Sequence, residues 1–109
     1  MAHGRDDPEA MNAVRKANGE ERFSFEDLEV WQEAVDSADE CLSLAEELER
    51  TRRPRRRIDQ FVGSSVSTAQ NIAEGKGRFS KKEFAQFLYI ARGSVFETVT
   101  LLQIFHRRK

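Results

Sequence analysis

FSKKEFAQFLYIARGSVFETVTLL, Phe79 to Leu102, is the stretch that decides the fold. Ser80 is placed to cap a helix, Glu83 stands three residues on to complete a capping box, and Phe79 can staple onto Phe84. From there Phe84, Phe87 or Leu88, Ala91, Val95, Thr98, Leu102 and Phe105 recur at helical spacing and trace one seam. Tyr89, Ile90, Phe96, Val99, Leu101 and Ile104 fall outside that seam. They form a second apolar face that a three-helix monomer leaves wet, so a subunit contact or a fourth helix is expected to cover it. The expected helix spans about residues 81–107. Its last residues, HRRK, carry no glycine cap or turn signal, which reads as a chain cut within an element.

Working back toward the N-terminus, a second helix is expected from about Ile58 to Glu74. It carries Ile58, Phe61, Val62, Val66, Ala69, Ile72 and Ala73, interspersed with Gly63, Ser64, Ser65, Ser67 and Thr68. Small residues let a neighbouring backbone come close, so this is the expected central element. Gly75 is read as its stop, in the left-handed conformation that other residues resist. Ahead of it lies the connector RTRRPRRR, Arg50 to Arg57. Pro54 there disfavours helical geometry in the residue before it. A first helix, about residues 25–50, is expected to begin with Ser24 as cap, Asp27 three residues on and Phe23 stapling to Leu28. Leu28, Trp31, Val35, Ala38, Leu42 and Ala45 give its seam. Residues 1–22 read as a tail with at most a short helix, for which only Met11 and Val14 offer an apolar stripe.

The 109 residues suit one domain with a real core, small enough for a subunit interface to supply much of its stability. No apolar run approaches the roughly 20 residues that cross a bilayer, and no secretory leader is visible, so a soluble cytoplasmic protein without a membrane role is expected. Cys41 is the single cysteine, which rules out an intrachain disulfide and a cysteine zinc cluster and reads as small apolar filler. The net charge of −1 hides a strong asymmetry. Residues 1–49 hold 4 Lys/Arg against 15 Asp/Glu, or −11, whereas residues 50–109 hold 14 against 4, or +10. An anionic partner responds to that local field rather than to the sum. Acidic and basic helices packed side by side would equally account for it.

Three separated strings, FEDLEVWQEA (Phe25 to Ala34), NIAEGKGR (Asn71 to Arg78) and SKKEFAQFLYIARGSVFE (Ser80 to Glu97), resemble the 23S ribosomal RNA intervening-sequence protein family. The resemblance implies an antiparallel up-and-down four-helix bundle that assembles as a homo-oligomeric ring, typically a pentamer. It also implies kinship with the accessory variability proteins of diversity-generating retroelements, basic bundles that bind nucleic acid and a reverse transcriptase. Two departures stand out. The family pattern continues into a fourth helix that is missing here, and the arginine pair often found early in its second helix is replaced by Val62-Gly63. The family offers no defined enzymatic activity to carry over.

Arg50, Arg52, Arg53, Arg55, Arg56 and Arg57, together with Lys76, Arg78, Lys81 and Lys82, are the candidate nucleic-acid-binding residues. The guanidinium is a planar fork for phosphate oxygens, and each phosphate neutralised releases a counterion. A solubilising loop, pairing with the acidic first helix, or another anionic partner would use the same charges. In an antiparallel bundle the two clusters lie at opposite ends. GKGR, Gly75 to Arg78, has glycines too closely spaced for a P-loop and is read as plain turn chemistry. Asn71, Glu74, Arg92 and Glu97 are expected to form a structural polar network, in which Asn71 or Glu97 fixes helix register through buried hydrogen bonds, Arg92 serves the same network and Glu74 pairs with Arg78 or a neighbouring basic group. No Glu-x-x-His motif occurs, so no metal or other cofactor is expected, and no serine has a histidine in helical reach to act as base. Tyr89, Ile90, Phe96, Val99 and Ile104 are the expected oligomer interface, although exposed Tyr89 or Phe96 would also suit base stacking.

The expectation is therefore a non-enzymatic module that binds nucleic acid, RNA more than DNA by family context, or acts as a scaffold, as a ring of identical subunits. The competing expectation is a protein-interaction module that recruits a partner such as a reverse transcriptase without touching nucleic acid.

Overall fold

The computed structural model describes residues 23–108 and Ala10. Apart from Ala10, the expected tail with its short helix lies outside the described residues. The rest is all-α. A 3-10 turn over Ser24–Asp27 leads into α1 (Glu29–Leu48), α2 (Arg55–Lys76) and α3 (Lys81–Arg107), with no strand among the described residues. No helix among them is long and apolar enough to cross a membrane.

α2 is the central helix. Both α1 and α3 pack on it, and no Cα of α1 comes within 8 Å of one in α3. The direction of each helix follows from two core clusters. Near one end Ala34 of α1 and Ala91 of α3 both belong to a cluster with Ala69 and Ile72 of α2. Toward the other end Cys41, Ala45 and Leu48 meet Ile58 and Phe61, which meet Leu101 and Phe105. Residue numbers rise along α1, fall along α2 and rise again along α3, so the three run up, down and up. Phe61 is fully buried and meets Phe105 edge-on, with ring centroids 5.7 Å apart. Burying such a ring is worth about 1.5–3 kcal/mol.

The phase of two helices differs from the sequence reading. On α1 the buried stripe is Ala34, Ala38, Cys41, Ala45 and Leu48, while Trp31 and Leu42 are half-buried and Val35 is exposed. Small residues occupy the line of contact because they let α1 lie close to α2, and the larger ones flank it. On α3, Leu101 is buried with Ala91, Thr98 and Phe105, whereas Val95 is exposed.

Helix ends also differ. Ser24 does not cap α1. The Glu26 carboxylate accepts the Phe23 backbone N–H at 2.7 Å, a 3-10 turn follows, and Leu28 begins α1 with no side-chain cap. Phe23 stacks on Phe25 at 5.6 Å, and Phe25 meets Trp31 edge-on at 5.1 Å. These aromatic contacts draw the turn down onto the helix. At α3 the Ser80 cap is present, its Oγ accepting from Glu83 N at 3.1 Å, but Phe79 is fully exposed and makes no staple.

Gly75 is not the left-handed stop. It lies inside α2, buried, and the helix closes at Gly77 with right-handed geometry (φ −79°, ψ −3°). A Cβ added at Gly75 would come within 2.7 Å of Phe87 Cβ and 2.9 Å of Phe84 Cδ1. Glycine is there because α3 crosses α2 too closely for any side chain.

Between α1 and α3, above the floor made by α2, runs an open apolar groove of about 310 Å³. Val30, Ala34 and Cys41 form one wall, Val95, Val99 and Leu102 the other, with Ile72 in the floor. In an up-and-down bundle a fourth helix occupies this position; the described residues supply three. Burial, reinforced by the Glu40 carboxylate, pushes the Cys41 thiol up from its ordinary range despite a Ser37 hydrogen bond. The cysteine therefore acts as core filler with little thiolate character.

Candidate nucleic-acid interface

The chain turns between α1 and α2 within a few residues. Glu49 ends α1, Thr51 Oγ1 donates to the Leu48 carbonyl at 2.6 Å, and Pro54 caps α2. The second helix therefore starts a turn earlier than its apolar pattern indicates, and Arg55, Arg56 and Arg57 form its first turn rather than a loop. Proline suits this end of a helix, where an N–H would lack an acceptor anyway. The charges do not. A helix N-terminus carries a partial positive charge, so each arginine there opposes the dipole at a cost of about 0.3–1 kcal/mol where salt is low.

The up-down-up path brings the end of α3 to the same pole. His106, Arg107 and Arg108 stand beside the connector, and Arg53 Nη2 donates to the Phe105 carbonyl at 3.3 Å. Arg53 is the half-buried member of the cluster, and it ties the connector to α3. Its Nε is buried with no hydrogen-bond partner among the described residues. Arg55 is held by Glu49 at 3.3 Å and Asp59 at 3.4 Å, and Arg57 Nη1 donates to Gln60 Oε1 at 2.8 Å. No carboxylate of the described residues pairs with Arg50, Arg52, Arg56, Arg57, Arg107 or Arg108, and all six are exposed. Between the connector and the last turn of α3 lies a cleft of about 740 Å³, with Arg52, Arg57 and Arg108 on its sides.

Lys76, Arg78, Lys81 and Lys82 sit at the opposite pole and do not join this cluster. Arg78 lies over the Phe87 ring at 4.6 Å and Lys76 over Phe84 at 6.0 Å, so part of this charge serves to cover aromatic surface. Lys81 and Lys82 are exposed.

The polar contacts between α2 and α3 run through serines and a threonine. Of the expected residues Asn71 alone joins them, from within α2, its Nδ2 donating to the Ser67 carbonyl at 2.8 Å and to Ser67 Oγ at 3.0 Å. Ser94 Oγ donates to Ser67 Oγ at 3.0 Å, and a buried Ser64–Thr98 bond of 2.8 Å crosses the same seam. Glu74, Arg92 and Glu97 are exposed and take no part; Arg92 lies over Tyr89 at 5.1 Å and Phe96 at 5.8 Å. Serine and threonine so close together are the signal that a search for charged partners passed over.

The residues expected at an oligomer interface are exposed in the single chain: Tyr89 64%, Ile90 53%, Phe96 61%, Val99 44% and Ile104 41%. They do not share one face. Val99 lines the α1–α3 groove and Ile104 the arginine cleft. Tyr89 and Phe96, seven residues apart, stack along the outer side of α3 around Arg92.

A family model for the 23S rRNA-intervening sequence protein matches residues 26–109. The chain belongs to that family. The match takes in all three helices and the whole arginine pole, so these features lie within the family domain rather than in an appended segment. No curated protein and no solved structure matches the chain. Among the described residues of this family member, no three His, Cys, Asp or Glu side chains are grouped to hold a metal ion.

Proposed function

We propose that this chain is a non-enzymatic nucleic-acid-binding module, and that it works as a homo-oligomeric ring. The observation that carries the reading is the pole where α1 turns into α2 and α3 ends. Exposed arginines converge there without carboxylate partners among the described residues, and two of them, Arg56 and Arg57, oppose the dipole of α2. Charges kept where the fold disfavours them are the pattern expected of a binding site. Phosphate oxygens satisfy guanidinium forks and relieve the repulsion between neighbouring arginines. RNA is the proposed ligand on family grounds. The ring is supported by the apolar side chains that α3 leaves exposed, and repeating the pole around a ring would multiply weak contacts into avid ones.

The test replaces Arg52, Arg56, Arg57 and Arg108 together by Gln, leaving Arg53 and Arg55 in their structural contacts. Gel-shift titration of a structured RNA at low salt should show binding by the parent chain and at least a tenfold loss in the variant. A Lys81→Gln, Lys82→Gln chain should bind nearly as the parent does. Equal binding by the parent and the arginine variant would overturn the assignment.

One observation favours a second reading. Glu29, Glu33, Asp36, Asp39, Glu40, Glu46 and Glu47 are all exposed along α1, a face suited to a basic protein such as a reverse transcriptase. Indifference to every nucleic acid, with salt-sensitive capture of a basic partner, would select it.

A further inference from the structure

The arginine cleft differs from a flat basic patch in having an apolar wall. Pro54 and Ile104 line it beside Arg52, Arg57 and Arg108, and Ile104 is 41% exposed although it lies beside the buried Phe105. Its volume of about 740 Å³ is in the range that encloses a small organic molecule. A regular duplex presents a convex surface of phosphates with its bases already stacked, so it would meet the rim and leave this wall empty. An unpaired nucleotide carries both kinds of surface the cleft offers. Its phosphate matches the guanidinium forks, and its base has apolar faces for Ile104, Pro54 and the planes of the arginines.

We propose that this cleft holds an unpaired nucleotide, so that the pole selects single-stranded or looped-out nucleic acid over a continuous duplex. The inference rests on the nucleic-acid reading above and adds the strand state of the ligand. Arg53, drawn back onto the Phe105 carbonyl, ties the connector to α3 and so fixes the spacing of the cleft's walls; the exposed arginines contact the ligand.

Fluorescence anisotropy on the full chain at low salt tests it with three labelled probes of one sequence: a single-stranded RNA, its perfect duplex, and the same strand with abasic sites. The single strand should bind about tenfold more tightly than the duplex, and the abasic strand, which keeps every phosphate, should lose most of that advantage. Ile104→Ala should weaken single-strand binding about fivefold and leave duplex binding unchanged. The abasic comparison uses the parent chain and so does not depend on how the variant folds. Equal binding to strand, duplex and abasic strand, or tighter binding to duplex, overturns the nucleotide cleft while leaving the nucleic-acid reading intact. Failure of all three probes to bind overturns both.

Discussion

Replacing Gly75 by alanine should fail to stabilise the protein, although the same change at Gly63, also in α2, should stabilise it. Alanine is the better helix former by about 0.8–1 kcal/mol. At Gly63 a new Cβ meets nothing within 4 Å, so Gly63→Ala should gain roughly that amount. At Gly75 the new methyl would lie 2.7 Å from Phe87 Cβ, an atom fixed to the α3 backbone, and 2.9 Å from Phe84 Cδ1. The Phe84 ring can rotate away, but Phe87 Cβ can retreat only if the helices separate. Overpacking of this kind costs about 1–3 kcal/mol. Set against the propensity gain, Gly75→Ala should come out from neutral to about 2 kcal/mol less stable than the parent. The difference between the two variants should then be about 1–3 kcal/mol. Urea unfolding followed by circular dichroism at one protein concentration measures both. If Gly75→Ala raised the midpoint as much as Gly63→Ala, the close crossing of α2 and α3 would be refuted.

Phe61→Ala should cost about 3–5 kcal/mol, because Phe61 is fully buried between the other two helices; thermal unfolding reads this directly. The Cys41 thiol is raised in the folded state, so between its unfolded and folded pKa values the native chain keeps a proton that the unfolded chain has lost. Stability should accordingly fall as pH rises above the ordinary thiol range of about 8.5, and Cys41→Ala should remove that alkaline slope in urea melts at pH 7.5 and 9.5. Multi-angle light scattering should give a mass several times the 12.6 kDa of one chain, and Phe96→Asp should lower it. A monomer of the parent chain would leave the exposed face of α3 without its proposed subunit contact.

Much of the helical plan can be read in the amino acids. Ser80 followed by Glu83 marks the start of α3, Pro54 separates α1 from α2, and the small residues of α2 announce its central place. What escaped pattern reading depends on contacts made across the fold. Ser24 has the side chain of a helix cap, yet Phe25 packing on Trp31 holds that segment in a 3-10 turn. Ala38 and Ala45 of α1 stand in the seam the spacing indicates, but Ala34 and Cys41 look like spacers until close approach to α2 makes them part of the contact line. Gly75 precedes a turn and so resembles a stop, but the cause of its being glycine is two phenylalanines on another helix. The arginine pole was half legible. Its connector residues stand out as a run, whereas Arg107 and Arg108 join it only because an up-down-up path returns α3 to the same end. That conclusion was available from topology alone. The Ser67–Ser94 and Ser64–Thr98 contacts were not, since hydroxyls carry no charge pattern to pair.

The salt dependence of RNA binding is the most direct measure of whether the arginine pole grips phosphates. Arg52, Arg56, Arg57 and Arg108, if each neutralises one phosphate of a single strand, predict that log K falls with log salt at a slope of about −3 or steeper. The four-Gln variant should flatten that slope toward zero. A parent chain whose RNA affinity is indifferent to salt, or a variant that keeps the parent's slope, would contradict the account.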